Sequence, residues 1–129
     1  MATPYAERRP GAFAGEKNDC SVLSLMETTG RTYEECHAAL KASGRKNGRG
    51  CYSDQVIEAA RRLGFSPKVR YVRRVSMKTV HNHCRIGVPA VVFCTSHFAG
   101  WNGQQISDWS TDTRRKVRRI IDIFPKGAA

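Results

Sequence analysis

The helix and strand signals of this chain fall in two separate blocks, and this order limits the folds that it can adopt. Helical patterns cover 20–29, 33–43 and 53–63, and a glycine follows each of them. Strand-like runs follow at 69–75, 90–94, 96–101, 104–109 and 117–124, with a short helix predicted over 76–84. Because helices and strands do not alternate, the sequence predicts an α+β fold with N-terminal helices packed on a C-terminal antiparallel sheet.

The starts of the three helices carry capping signals. Asn18 or Asp19 can cap the first helix, and Ser53 is the predicted N-cap of the third. Before the second helix, Thr32 and Glu35 have the T-x-x-E spacing of a capping box, in which each residue satisfies a backbone N–H of the other. These signals predict where the helices begin more sharply than hydrophobic periodicity does.

The length of 129 residues suits one domain with its own core. Residues 1–17 show no periodicity and are predicted to form an extended N-terminal arm, while 18–129 are predicted to form a single domain. No run approaches the roughly 20 apolar residues of a membrane span, and residues 1–10 lack the apolar stretch of a secretory signal. We therefore expect a cytoplasmic protein, without membrane contact, whose cysteines stay reduced.

The charge of the chain is strongly positive, with 22 Lys and Arg against 11 Asp and Glu, a formal net charge of +11. Such a field favours acidic partners, above all nucleic acid, and an acidic protein surface is the other candidate. The basic residues are dispersed and match no nucleic-acid-binding module, so a solvated basic face is the simpler interpretation. The run 114–119 is predicted to be an exposed edge strand that its charges protect from self-pairing, with phosphate contact as the alternative.

Asn102-Gly103 lies between two strand-like runs and is the strongest short-range hairpin signal in the chain. If these two residues form a type I′ turn, Trp101 lies opposite Gln104 and His97 lies opposite Asp108. Opposed side chains share a face, with Cβ atoms roughly 4.5–5.5 Å apart. The turn therefore predicts a histidine beside a carboxylate, which can orient the imidazole and stabilise its protonated form.

Cys20 is the cysteine with the best case for reactivity. It falls in the first turn of an apolar helix, where unpaired N–H groups carry partial positive charge and favour a thiolate. Cys36 falls within a helix and Cys94 within an apolar strand, where thiols are usually inert packing groups. Cys51 and Cys84 fall near the ends of elements, away from the predicted histidine–carboxylate hairpin.

Three short motifs make the chain resemble the papain-like cysteine peptidases, especially their compact bacterial and phage C39-like branch. The motifs are Asn18-Asp19-Cys20 before an apolar helix, the apolar run 88–93 leading to Ser96-His97-Phe98, and the hairpin end Ser107-Asp108-Trp109. The resemblance spans roughly 13–124 and implies a papain-like fold. It implies Cys20 as nucleophile, His97 as general base and acid, and Asp108 as the residue that orients His97.

The sequence departs from this family at the oxyanion-binding position. The family usually carries a glutamine several residues before the nucleophile, and residues 11–19 contain none. Asn18 is the candidate replacement for its amide, together with the backbone N–H of Cys20. Loss of one oxyanion donor typically costs about 10²–10³-fold in rate, so an inactive, binding-only relative of the family is a real alternative.

The run His81-Asn82-His83-Cys84 is the only cluster that suggests metal. Zinc sites usually combine a C-x₂₋₄-C or H-x₃₋₅-H pair, and neither spacing occurs here, so a structural or surface role is favoured. We predict neither a metal nor an organic cofactor.

Together these features predict a thiol-dependent hydrolase that acts on a peptide or protein, most simply a cysteine peptidase with a Cys20–His97–Asp108 triad. A deamidase or an acyl transferase would use the same residues. The alternative is a catalytically weak or inactive papain-like module whose basic surface docks on nucleic acid or on an acidic protein.

Overall fold

The computed structural model describes residues 19–46, 52–95, 97–107 and 114–126. The predicted arm and Asn18, residues 47–51 with Cys51, Ser96, and 108–113 with Asp108 lie outside them. The described part contains three helices followed by a five-stranded sheet. The mixed α+β class with antiparallel pairing is thereby confirmed.

The helices are α1 (Cys20–Thr29), α2 (Tyr33–Ala42) and α3 (Ser53–Arg62). The capping box of α2 is present: Thr32 Oγ1 accepts from the Glu35 N–H and Glu35 Oε1 accepts from the Thr32 N–H, both at 3.1 Å. Ser53 is the first helical residue of α3 rather than its N-cap, because the Gln55 side chain accepts from the Tyr52 N–H and makes Tyr52 the cap.

The strands are β1 (Phe65–Ser76), β2 (Ala90–Cys94), β3 (His97–Trp101), β4 (Ile106–Ser107) and β5 (Lys116–Pro125). Their order across the sheet is β1-β5-β2-β3-β4, and every pair is antiparallel. The last strand along the chain thus lies inside the sheet, between β1 and β2. The edge-strand prediction for the basic run 114–119 is wrong, because β5 has pairing partners on both sides.

The predicted helix over 76–84 is reduced to one 3₁₀ turn, Val80–Asn82. Thr79 Oγ1 accepts from the Ser76 N–H at 3.3 Å, while the Thr79 N–H donates to the Ser76 carbonyl at 3.1 Å. These local bonds hold a turn, and hydroxyl side chains of this kind compete with a continuing helix.

The sheet separates two hydrophobic clusters. On one face, the helices pack against sheet residues that include Val91, Phe98, Ile121 and Ile123. On the other face, the segment 77–89 covers a second cluster from the sheet, whose members include Ala90, Val92, Ala99, Trp101 and Ile120. Neighbouring strand residues alternate between the two faces, which explains why the central strands read as continuous apolar runs.

Helix α1 lies directly on β3 at Gly100. An added Cβ at Gly100 would lie 2.9 Å from Cβ of Glu27 and 3.5 Å from the carbonyl oxygen of Ser24. The helix can reach the sheet only because this position lacks a side chain.

Gly100→Ala should therefore destabilise the protein by about 1–3 kcal/mol, because the neighbouring atoms belong to the base of a side chain and to backbone, which cannot move aside cheaply. Urea unfolding measures this cost. The double variant Gly100→Ala, Glu27→Gly removes the clashing Cβ, so its loss should be smaller than the sum of the two single losses. Additive losses would mean that α1 does not approach β3 closely at this point.

The β3–β4 hairpin has a different register from the one that Asn102-Gly103 predicts. Trp101 pairs with Ile106, not with Gln104, and the connection is a four-residue loop. The Asn102 side-chain oxygen accepts from the backbone N–H groups of Gln104 and Gln105, both at 2.8 Å. The loop backbone thus wraps around the Asn102 side chain, and a two-residue turn is too short to form these two hydrogen bonds.

Candidate active site

Cys20 occupies the first position of α1 and is partly exposed, with its apolar side against the helix-side cluster. The first helical backbone bond runs from the Leu23 N–H to the Asp19 carbonyl at 3.0 Å. The N–H groups before Leu23 therefore precede the intrahelical ladder.

Asp19 holds the N-cap position without using its side chain as a cap. Its Oδ2 accepts instead from the Tyr33 hydroxyl at 2.8 Å, and the carboxylate is buried. The N-terminal turn of α1 thus receives no capping bond from Asp19, and the aligned peptide dipoles favour negative charge at this end of the helix. An oxyanion bound beside this turn would have the charge that the helix end stabilises.

The other described thiols lie in less reactive surroundings. Burial raises the pKa of Cys36 from 9.0 to about 12, despite its contact with the Thr29 hydroxyl. Burial likewise raises the pKa of Cys84 from 9.0 to about 12, and the nearby guanidinium of Arg70 only partly offsets it. Cys94 is fully buried in β2. Among the described cysteines, Cys20 combines partial exposure with a helix N-terminus.

His97 is the first residue of β3, is 7% exposed and pairs with Cys94 across the β2–β3 hairpin. Phe98 belongs to the helix-side cluster and Ala99 to the opposite one. Because strand side chains alternate between the two faces, the His97 side chain lies on the same face of the sheet as those of Ala99 and Cys94. Helix α1 covers the opposite face.

Helix α1 packs against β3 at Gly100, but Cys20 packs on the helix-side cluster while strand alternation gives His97 the opposite face, so the described contacts do not bring the two side chains together. The predicted partner Asp108 and the oxyanion candidate Asn18 lie outside the described residues. The prediction that His97 lies directly opposite Asp108 assumed a two-residue turn, and this register is wrong, because Trp101 pairs with Ile106. Since Asp108 lies outside the described residues, a contact between it and His97 stays a prediction without support from the turn.

A buried ion pair on the second face escaped sequence analysis. Asp122 is 2% exposed and forms two bonds with Arg70, Nε to Oδ2 at 2.7 Å and Nη2 to Oδ1 at 3.0 Å. Arg85 Nε lies 3.6 Å from Oδ2, and Arg70 Nη1 also donates to the His83 carbonyl at 3.0 Å. The bond with Asp122 raises the pKa of the Arg70 guanidinium.

This ion pair fastens the segment 77–89 to the sheet, since Arg85 and the His83 carbonyl both belong to that segment. The signal for it is one acidic residue within the apolar run 120–124. A charge at such a position needs a partner of opposite charge, although the sequence does not say which one.

Among the described residues, no three His, Cys, Asp or Glu side chains lie close enough together to hold a metal ion. Within the same residues, no helix has the length and apolar character required to cross a membrane.

No protein-family model matches this sequence, no curated protein matches it, and no solved structure matches the fold.

Proposed function

We propose that this protein is a thiol-dependent hydrolase with a papain-like arrangement, most simply a cysteine peptidase. The Cys20 thiolate attacks the carbonyl carbon of a peptide or protein substrate. The imidazole of His97 takes the thiol proton and returns it to the departing amine, and Asp108 orients the ring. Water then cleaves the thioester and regenerates the thiol. Attack by another nucleophile would make the same site a transferase, and a glutamine side chain as substrate would make it a deamidase.

The observation that carries the proposal is the environment of Cys20. It combines partial exposure with a helix start that the Asp19 side chain does not cap. The same helix start supplies backbone N–H groups for the oxyanion of the tetrahedral intermediate, with Asn18 as the candidate second donor. A cytoplasmic location suits this chemistry, because thiols stay reduced there.

The proposed reaction requires the His97 imidazole to reach the Cys20 thiol. Alternation directs its side chain to the face that α1 does not cover, so the ring has to reach Cys20 around the end of the sheet rather than through it.

Thiol labelling tests the proposal without knowledge of the substrate. At about pH 7, iodoacetamide should label Cys20 faster than any other cysteine, because the imidazole of His97 removes the thiol proton. His97→Ala should slow the labelling of Cys20 and leave the other cysteines unchanged. Peptide mapping by mass spectrometry measures both rates.

Cys36 and Cys84 are the internal controls. Their pKa values of about 12 keep them as thiols in the folded protein, so they should stay unlabelled until the chain unfolds. Since these thiols ionise near 9.0 once exposed, they leave stability unchanged at lower pH and reduce it as the pH rises from 9.0 towards 12. Equal labelling of Cys20 in the parent and in His97→Ala would refute a Cys20–His97 pair.

A further inference from the structure

A groove of about 430 Å³ opens on the helix side of the sheet, at the start of α3. Two tyrosines on its rim are unusually exposed for their size, Tyr52 at 77% and Tyr71 at 75%. Ile57, Val69 and Phe93 supply the apolar part of its lining. Large aromatic rings this open to solvent have stacking surface to offer to a ligand.

Arg119 occupies the middle of this groove. Strand pairing puts it between Tyr71 of β1 and Phe93 of β2. Its guanidinium carbon lies 5.2 Å from the centre of the Tyr71 ring and 5.6 Å from that of Phe93, and Nη1 donates to Ser53 Oγ. These contacts hold the Arg119 guanidinium over the Tyr71 ring, so a fixed positive charge and an exposed aromatic ring occur together, which suits a flat, anionic ligand.

Three exposed arginines, Arg73, Arg74 and Arg118, lie close in sequence to the groove residues Tyr71 and Arg119, and we call them the arginine corner. Arg73 and Arg74 follow Tyr71 in β1, where the pairing with β5 is irregular, and Arg74 has a positive φ of 58°. Among the described residues, no carboxylate forms an ion pair with this corner, and Arg118 donates only to the Thr95 hydroxyl, at 3.2 Å. A strained, unneutralised cluster of cations favours an anionic partner.

The groove also contains one carboxylate, Asp54 in the first turn of α3. It can accept hydrogen bonds from the amino groups of a base, but it would repel the side chains of an acidic peptide. Asp54 and the two exposed tyrosine rings therefore favour a ligand that carries both bases and phosphates over one that carries only carboxylates.

We propose that the groove and the arginine corner bind single-stranded nucleic acid. Bases stack on Tyr52 and Tyr71, and phosphates contact Arg73, Arg74 and Arg118. The bases of a duplex are already stacked on one another, so the tyrosine rings select a single strand. Cys20 is not among the residues that line the groove, and the proposed binding does not depend on the thiol chemistry.

Fluorescence anisotropy with dye-labelled oligothymidine and oligouridine tests the site in the full chain at low salt, about 50 mM. Tyr71→Ala and Tyr52→Ala should each weaken binding about tenfold, the loss expected when one stacked base is released. The double variant Arg73→Ala, Arg74→Ala should weaken binding and reduce the salt dependence, by about 0.7 in the log–log slope for each lost phosphate contact.

Ile86→Ala is the matched control, since Ile86 is 78% exposed and lies in the segment 77–89, on the other side of the sheet. It should bind like the parent, as should Cys20→Ala, and circular dichroism should show that every variant is folded. A preference between the two oligonucleotides would identify DNA or RNA, and either supports the site. Absent binding, unchanged affinity in both tyrosine variants, or equal binding of polyglutamate would overturn the proposal.

Discussion

Cys20→Ala is expected to lower the rate of hydrolysis on the order of 10⁴- to 10⁶-fold, because the variant has no atom that can form the thioester. The side chain is small and only partly buried at a helix start, so the fold should persist. The measurement is the initial rate on a pool of fluorogenic peptide amides, with isopeptide and glutamine-amide substrates tried in parallel.

Cys84→Ala provides the matched control, because it removes another partly buried thiol, one that burial keeps protonated. Its rate should stay within about twofold of the parent, as expected for a residue outside the site. His97→Ala should lose nearly as much as Cys20→Ala, and Asp108→Asn should lose less, because orientation fails before nucleophilicity does. Full activity in Cys20→Ala, or no turnover by the parent on any of these substrates, would contradict the hydrolase proposal.

Arg70→Met is expected to lower the free energy of unfolding by about 3 kcal/mol, the largest stability effect that the structure suggests. Among the residues that the structure describes, the substitution leaves the Asp122 carboxylate, 2% exposed, with the more distant and more exposed Arg85 as its one remaining ion-pair partner. A buried charge without a close partner is costly because burial has removed its water. Urea unfolding at neutral pH measures the loss.

Two comparisons isolate this effect. The double variant Arg70→Met, Asp122→Leu should recover most of the lost stability, because no buried charge remains. Arg62→Met, which breaks an exposed pair with Glu58, should cost no more than about 0.5 kcal/mol, since both side chains are half exposed. A loss from Arg70→Met no greater than that from Arg62→Met would show that Asp122 is not a buried, paired charge.

Local chemistry was sufficient to predict the helices and the main strands. Each of these signals depends only on residues that are close together in the sequence, so the sequence contains the whole signal. Examples are the T-x-x-E box at Thr32, the glycines after each helix and the apolar run 90–94. The same holds for the assignment of Cys20 to the first turn of a helix. Asn102 misled the prediction because its own side chain builds a longer loop than the dipeptide rule assumes.

Only the tertiary structure determined which strands and which distant side chains lie next to one another. The basic run 114–119 is typical of an edge strand, yet β5 pairs on both sides, because strand order depends on which apolar faces fit together over long sequence distances. The partner of Asp122 is 52 residues away, and Arg119 meets Ser53 across 66 residues. The sequence by itself determined which side chains are available for chemistry and which local element holds each one. Packing of the helices on the sheet determined which of them meet, because a contact between distant residues leaves no periodic trace in either segment.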